Sequence, residues 1–584
     1  MRFGLFYEHQ LPRPWSDGAE ERLLSDALEQ IELADGLGFH TAWEVEHHFL
    51  EEYSHSSAPE VFLAAASQRT SRIRLGHGIV QVPQEINHPA RVAERIATLD
   101  LVSGGRVEFG TGEGSSQAEL GGFGVPRDLK RQQWDEALDA ITRMFVGEPF
   151  AGFDGRWIRM PQRNVVPKPK QKPHPPLWVA CSRRETILLA ARKGLGALSF
   201  SFIEPEAAKE WVDEYYRLIA SDECVPAGFA VNPNVAVVLP FMCHPDEETA
   251  IERGIDGAHF FGYSLAHYYV FGQHRPGRTD LWEEFQRHRN EYGFAREIVR
   301  AEDAPLGVKL LQQGLGSLRG AIGTPEQVTE LLERYERAGV DEVIFVGQAG
   351  RNRHEHICES IELFAKEVLP RFADRADAVE SAKRERLADP CERALARRAP
   401  ARTAADGYVI MPGGEPAPAP TPAFSTADPA SVVGPSVRGR ARIGRWLGRR
   451  SEAAFAAFVR GKSDRQLDRT VGTRYGLRLV FRGMERSFQP NRANGFSGDI
   501  QYELKVNGVI KAWLVQIRGP RIKTAPERSA KPAVTLRMAV PTFARIVAGQ
   551  IPAAQAFLEG RIEVEGDINL AARLGEMFGQ TAPF

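Results

Sequence analysis

The side chains best suited to chemistry stand together at Glu44-Val45-Glu46-His47-His48-Phe49. Imidazole titrates near neutrality, so a histidine here can exchange a proton with a reacting group or hydrogen-bond a cofactor. Adjacent histidines point in different directions, so one of the pair can face a site. Carboxylates and imidazoles are also metal ligands, and His9, Glu46, His47, His48 and His88 supply enough donors for a metal centre. A pair of purely structural histidines is the plainest alternative.

Three further stretches carry functional signals. Gly76-His77-Gly78-Ile79-Val80 has a glycine where a flat ligand could approach the backbone, or where a strand bulges. Gly110-Thr111-Gly112-Glu113-Gly114-Ser115-Ser116 is glycine-rich but matches neither the dinucleotide fingerprint nor the P-loop. Val179-Ala180-Cys181-Ser182-Arg183-Arg184-Glu185 runs from a strand into a helix. The N–H groups that open a helix favour an anion, with Ser182 to cap and donate and Arg183 or Arg184 to add charge. An ordinary N-cap with solvated arginines explains the same residues. Cys181 reads as a small buried residue, with no histidine near it in sequence.

These segments have to be positioned by something, and the pattern around them shows what. Short apolar strands alternate with amphipathic helices: Arg2–Tyr7, Thr41–Val45, Ile73–Val82, Val107–Gly110, Leu177–Ala180, Leu198–Phe202 and Glu342–Val346 are strands. Between them lie helices such as Glu20–Leu37, Pro59–Arg69, Ala90–Leu101, Leu129–Phe145 and Pro325–Ala338. About eight such units over residues 1–372 fit an α/β fold, a (β/α)8 TIM barrel, with a doubly wound sheet as the alternative. In a barrel the strand C-termini build the site; His47, Gly112 and Ser182 lie at such ends, and Gly78 lies within the third strand. A barrel metallohydrolase needs ligands from several strand ends, and no carboxylate cluster at Phe200 or Val346 completes a set. Phe150–Pro175 is expected to be a hairpin insertion, and residues 241–320 to hold a second one.

Residues 373–440 are expected to form a flexible Pro/Ala-rich linker, with Pro412, Pro416, Pro418, Pro420 and Pro422. The basic run Arg438–Arg450 reads as a solvated helix start, or as a contact for anionic surfaces. Residues 441–584 form a small α+β domain: Ile500, Tyr502, Leu504 and Val506 alternate with polar residues, Asn507-Gly508 marks a hairpin turn, and an antiparallel sheet is expected.

Composition narrows the function classes. The chain has 584 residues with 74 Lys+Arg against 76 Asp+Glu, so no basic excess suggests nucleic acid as a partner. Its 5 cysteines form no CxxC pair, which argues against a disulfide framework and fits a reducing compartment. No long apolar run suggests a transmembrane segment, and a cytoplasmic protein is the expectation.

Residues 1–372 resemble the bacterial luciferase-like family of flavin-dependent monooxygenases. The likeness is carried by Ala42–Phe49, Leu75–Pro83 with His88-Pro89, Leu99–Gly110 (LDLVSGGRVEFG), Trp178–Ser182 and Gly323–Phe345, in the family's order. The resemblance implies a barrel that uses reduced FMN and O2, or in one branch the deazaflavin F420. It implies that His47 lies near the flavin ring with His48 beside it. Gly78-Ile79 would lie against the ring, often through a non-proline cis bond, and Ser182 with its neighbours would hold the phosphate. Glu46, Gly112, Cys181, Arg183 and Arg184 complete the expected cofactor rim. Light-emitting members usually carry Cys at the position of Gly112 and Arg at that of Glu113, so light emission is not expected here. The implied substrate is apolar, a long-chain aldehyde, ketone or lipid-like molecule. A separate flavin reductase would supply the reduced cofactor, and a homodimer is a further expectation.

Residues from about 445 to 580 resemble a sterol carrier protein 2 lipid-binding domain, through VTLRMAVPTFARIVAGQ and EGRIEVEGDINLAARLGEMF. That likeness implies a lipid or fatty-acyl ligand, with Phe543, Ile546, Val547, Phe557, Leu558, Leu574 and Phe578 lining or abutting an apolar tunnel. Plain core is the alternative for each.

Overall fold

The computed structural model describes residues 1–182, 184–199, 205–289 and 319–410. Of the C-terminal part it describes residues 455, 458–459, 461–488, 496–506, 509–519, 521–548, 550–551, 556, 561–566, 570 and 574. The chain divides into two units, 1–421 and 422–584.

In the first unit, strands β1 (Arg2–Tyr7), β2 (Thr41–Glu44), β3 (Arg74–Gln81) and β4 (Val107–Gly112) pair in order, each parallel to the next. The hairpin β5 (Phe153–Asp154) and β6 (Arg159–Met160) follows, as expected for the insertion. Then come β7 (Leu177–Cys181), β8 (Gly196–Ser199), β9 (Val235–Cys243), the short β10 (Ala321–Gly323) on the upper half of β9, and β11 (Glu342–Val346). Ala197 of β8 lies opposite Val235 of β9, β9 pairs with β11, and Glu342 of β11 lies opposite Arg2 of β1. This closes an eight-stranded parallel barrel.

Helices cross over between strands because their apolar faces need cover. Helix Ala19–Leu37 buries Leu23, Ala27, Ile31 and Ala34 at helical spacing and ends at Gly38, whose φ of 93° suits a residue without a Cβ. Alternate strand residues divide the core in two. Leu5, Tyr7, Ala42, Leu75 and Val107 face the helices. Phe6, Trp43, Trp178, Leu198, Val238 and Ile344 fill the barrel interior. Two glycines make room for the two indoles: a Cβ on Gly76 would lie 2.3 Å from Trp43, and one on Gly196 would lie 2.4 Å from Trp178. The rings meet edge-on at 5.3 Å. Their N–H groups donate to Thr41 Oγ1 at 3.0 Å and to Glu108 Oε2 at 2.6 Å. Losing either ring would open a cavity costing about 3–5 kcal/mol. The indoles plug the barrel between a cavity of about 490 Å³ at its base, lined by Arg2, His40, Arg74 and Glu108, and the strand C-termini, where sites of this fold are built.

Residues 373–397, expected to belong to the linker, instead continue a helix, Pro370–Arg397. Several of its charges pair with the base of the barrel. Lys383 Nζ reaches Asp341 at 2.8 Å and Asn234 at 2.6 Å, and Glu380 accepts from Arg2 at 3.0 Å. Leu387 and Ala394 are buried. The expected insertion in residues 241–320 contains helix Glu247–Ala266, a π-helical turn His267–Phe271 and helix Leu281–His288; residues 290–318 lie outside the described ones.

The second unit has a five-stranded sheet ordered β14 (Arg521–Ala525), β13 (Val509–Arg518), β12 (Gly498–Val506), β15 (Val534–Ala539), β16 (Ile562–Gly566). It is mixed rather than antiparallel, because β12 and β15 run parallel, with Ile500 opposite Val534. Alternation in the sequence reveals the buried face but not the strand direction, which depends on where the chain re-enters the sheet. Asn507-Gly508 lie outside the described residues, although β12 and β13 do pair as an antiparallel hairpin. Phe481 stacks on Trp513 at 4.9 Å and on Phe543 at 5.1 Å. Phe543, Ile546 and Leu574 are buried in this core and Val547 rests against it; Phe557, Leu558 and Phe578 lie outside the described residues. Among the described residues no helix is long and apolar enough to cross a membrane.

Candidate active site at the barrel mouth

The first four strand ends converge on His47. β1 delivers Glu8, β2 delivers Glu46, His47 and His48, and β3 delivers Gln81 after a register shift between His77 and Val80. The bulge turns the strand so that Val80 and Val82 enter the outer core, which leaves Ile79 and Gln81 toward the mouth. After β4, Ser116 caps a short helix, Gln117–Phe123, by accepting from Ala118 N at 3.2 Å. This helix brings Glu119 into the centre.

His47 stands between two carboxylates. Its Nδ1 is 3.0 Å from Glu119 Oε1 and its Nε2 is 3.6 Å from Glu8 Oε2. Burial alone would lower its pKa, but the negative charges of Glu119 and Glu8 outweigh burial and hold it up to about 9. Burial pushes Glu8 up to about 7, despite the opposing pull of His47 and of the Tyr53 hydroxyl. The same Glu119 oxygen accepts from Gln81 Nε2 at 2.6 Å and from the His48 backbone N–H at 3.0 Å. Tyr53 donates to Glu8 Oε1 at 2.9 Å. His48 pairs with Glu46 at 3.1 Å, and Glu46 also accepts from the Gln81 backbone and Asn87, both at 2.7 Å.

An aromatic wall stands beside this network. Tyr53 lies 5.6 Å from the His47 ring, 5.9 Å from Phe261, 6.1 Å from Tyr268 and 6.4 Å from Tyr269. The last two belong to the π-helical turn, a distortion that often marks functional sites.

The expected site residues are distributed as follows. Glu46, His47 and His48 are brought together. Gly78 and Ile79 form the bulge beside them, and Gly112 faces Ile79, whose Cδ1 lies 2.4 Å from where a Gly112 Cβ would stand. The Gly78–Ile79 peptide is trans: among the described residues, cis bonds precede proline only. Here the bulge alone re-aims the strand. Ser182 is exposed at the end of β7. Cys181 is not on the rim: its side chain is buried in the layer between strands and helices, and burial raises its pKa strongly. Arg184 is exposed and paired with Glu214, while Arg183 lies outside the described residues. His9 turns outward to Glu44 at 3.2 Å and Gln348 at 3.0 Å, and His88 caps a helix. Among the described residues no group of three His, Cys, Asp or Glu side chains could hold a metal ion.

Sequence reading missed Glu8, Tyr53, Gln81 and Glu119. Glu8 follows the first strand directly, so the strand-end rule could have found it. Glu119 offered no such signal, because it enters from a short helix rather than from a strand end.

The site has the chemistry to hold a flavin. Glu8 Oε2, Gln81 Oε1 and Glu119 Oε2 are buried acceptors without a hydrogen-bond donor, and such atoms are costly unless a bound group supplies one. Gln81 lies opposite Gly112 across the β3–β4 pair, two positions after Ile79.

A closed parallel barrel with an acid–base cluster under an aromatic wall at its C-terminal rim defines an enzyme of the (β/α)8 class. The chain belongs to the luciferase-like monooxygenase family, which it matches over residues 1–342, and residues 483–579 match the SCP-2 sterol transfer family. It is similar to 4-hydroxyprotoasukamycin monooxygenase of Streptomyces nodosus subsp. asukaensis, 28% identical over 64% of this chain and 93% of that one. It is also similar to the oxygenase component of the flavin-dependent trigonelline monooxygenase of Acinetobacter baylyi, 25% identical over 64% and 96% of the two chains. Against an uncharacterized Sinorhizobium fredii protein, 35% identical, the match spans 30% of this chain and half of that relative. Among solved structures, the monooxygenase RslO1 of Streptomyces bottropensis superposes with a TM-score of 0.51 at 25% identity, covering 64% of this chain and 100% of that one.

Proposed function

We propose that this chain is the oxygenase half of a two-component flavin-dependent monooxygenase. In this reading it takes reduced FMN from a separate reductase, and O2, and acts on an apolar aldehyde, ketone or lipid-like substrate. The observation that carries the reading is His47 held between the buried carboxylates of Glu119 and Glu8 at the barrel mouth, with the donor-less Oε1 of Gln81 nearby. Bound reduced flavin supplies the two electrons that activate O2. The chain does the rest. Ile79 and Gly112 support the ring, and Gln81 accepts a hydrogen bond from it. Ser182 and the helix N–H groups after it hold the phosphate, with Arg184 as a nearby positive charge. His47 holds a proton at Nε2, next to where oxygen must be protonated. Tyr53, Phe261, Tyr268 and Tyr269 exclude water, which protects a reactive oxidant.

We assign the SCP-2 region the role of binding a lipid or fatty-acyl chain, which raises the local concentration of substrate for the barrel. The trigonelline enzyme's description as an oxygenase component supports the separate reductase. The test is oxygen uptake and product formation when the full chain is mixed with photoreduced FMN and a long-chain aldehyde. The reading expects one carboxylic acid formed per flavin oxidised, and that His47→Ala forms at least tenfold less. Flavin oxidation without any oxygenated product from aldehydes, ketones or fatty acyl compounds would contradict it.

A further inference from the structure

A single histidine does not need two buried carboxylates for hydrogen bonding alone. Glu119 is fully buried, and its one oxygen collects three donors: the His47 ring at Nδ1, the His48 backbone N–H and the Gln81 amide. That arrangement fixes both the carboxylate and the ring it grips. The opposite ring nitrogen faces Glu8 Oε2 at 3.6 Å, an oxygen with no hydrogen-bond partner, while Glu8 Oε1 is held by Tyr53. The other titratable groups around the ring are Glu46 and His48 on its own segment and Tyr269 from the π-helical turn, whose phenol is held neutral by burial and by Glu119 and Glu8.

We propose that Glu119 is a positioning residue that locks His47 as an imidazolium with only Nε2 turned to the mouth, where the Glu8 carboxylate faces it. The proposal rests on the oxygenase reading for its purpose, but its geometry stands without a cofactor. An oxygen in the mouth takes the Nε2 proton and leaves a neutral ring, still held at Nδ1 by Glu119; a proton from solvent restores the imidazolium between turnovers.

The test uses the full chain with isotope-labelled histidine and no flavin. The His47 signal is assigned by its loss in His47→Gln and followed by NMR against pH. Wild type is expected to stay charged at pH 7.5. Glu119→Gln is expected to lower the His47 midpoint by at least about one pH unit, a tenfold loss of proton affinity, and Glu119→Asp by less. The alkaline limb of the turnover–pH profile should shift the same way. A neutral His47 in wild type at pH 7.5 overturns the proposal without any variant. So does a Glu119→Gln midpoint equal to wild type, or, should that variant not fold, a Glu119→Asp midpoint equal to wild type. Because the titration involves neither flavin nor oxygen, its failure beside intact product formation removes Glu119 from its role and leaves the oxygenase reading standing. Success without product formation does the reverse.

Discussion

Burial favours the neutral His47 ring, but Glu119 and Glu8 outweigh it and hold its pKa up to about 9. The folded pKa of about 9 lies above the unfolded value, so the stabilisation is complete below about pH 6.5 and is withdrawn as pH rises through 9. Wild type should therefore exceed His47→Gln in urea-unfolding free energy by about 2–3 kcal/mol more at pH 6 than at pH 10. An equal difference at both pH values would show that the charge pair does not form. At this scale the sequence was legible where a side chain sits at a strand end. His47, His48 and Glu46 were found because they follow a strand directly, and Ser182 because it opens a helix. Glu119, 72 positions from His47, was hidden because its place depends on how the glycine-rich loop after β4 folds back. Cys181 was placed on the rim because it neighbours Ser182, but strand alternation turns it to the opposite face.

Strands and helices were read more readily than their contacts. Arg2–Tyr7, Pro59–Arg69 and Glu342–Val346 form with the expected bounds, because apolar spacing and an N-terminal proline mark them locally. Helix Pro370–Arg397 was not read, because its sparse apolar residues gain meaning only against Asp341, Asn234 and Arg2 of the barrel base. The parallel pairing of β12 with β15 was equally hidden, since alternation carries no direction. The bulge at Gly78-Ile79 is the element with most bearing on the site. It was named as one reading of Gly78, and its consequence is that Ile79 packs where a side chain on residue 112 would go. Gly112→Ala should push Ile79 into the mouth and weaken FMN binding about tenfold, a cost of about 1.4 kcal/mol, with little change in thermal stability. Unaltered affinity in a flavin fluorescence titration would place the ring elsewhere.

On the scale of the whole molecule, a barrel that matches the luciferase-like monooxygenases and a unit that matches the SCP-2 sterol transfer family share one chain. Both were legible, because each family's segments recur in order over many residues, which no single motif can imitate. The substrate was not legible, since the aromatic wall of Tyr53, Phe261, Tyr268 and Tyr269 is assembled from segments far apart in sequence. If the second unit holds substrate for the first, removing residues 441–584 should raise the apparent KM for long-chain aldehydes about tenfold while that for short ones changes little. Equal changes for both would leave the second unit without a part in delivery.

The central claim is that the barrel mouth binds a reduced flavin against Ile79 and His47. Anaerobic titration of the full chain with photoreduced FMN and, separately, with reduced F420 tests it most directly. A saturable, one-to-one change in the FMN spectrum that His47→Ala perturbs is expected, with weaker or no binding of F420. No saturable FMN binding, or tight binding of F420 alone, would contradict it.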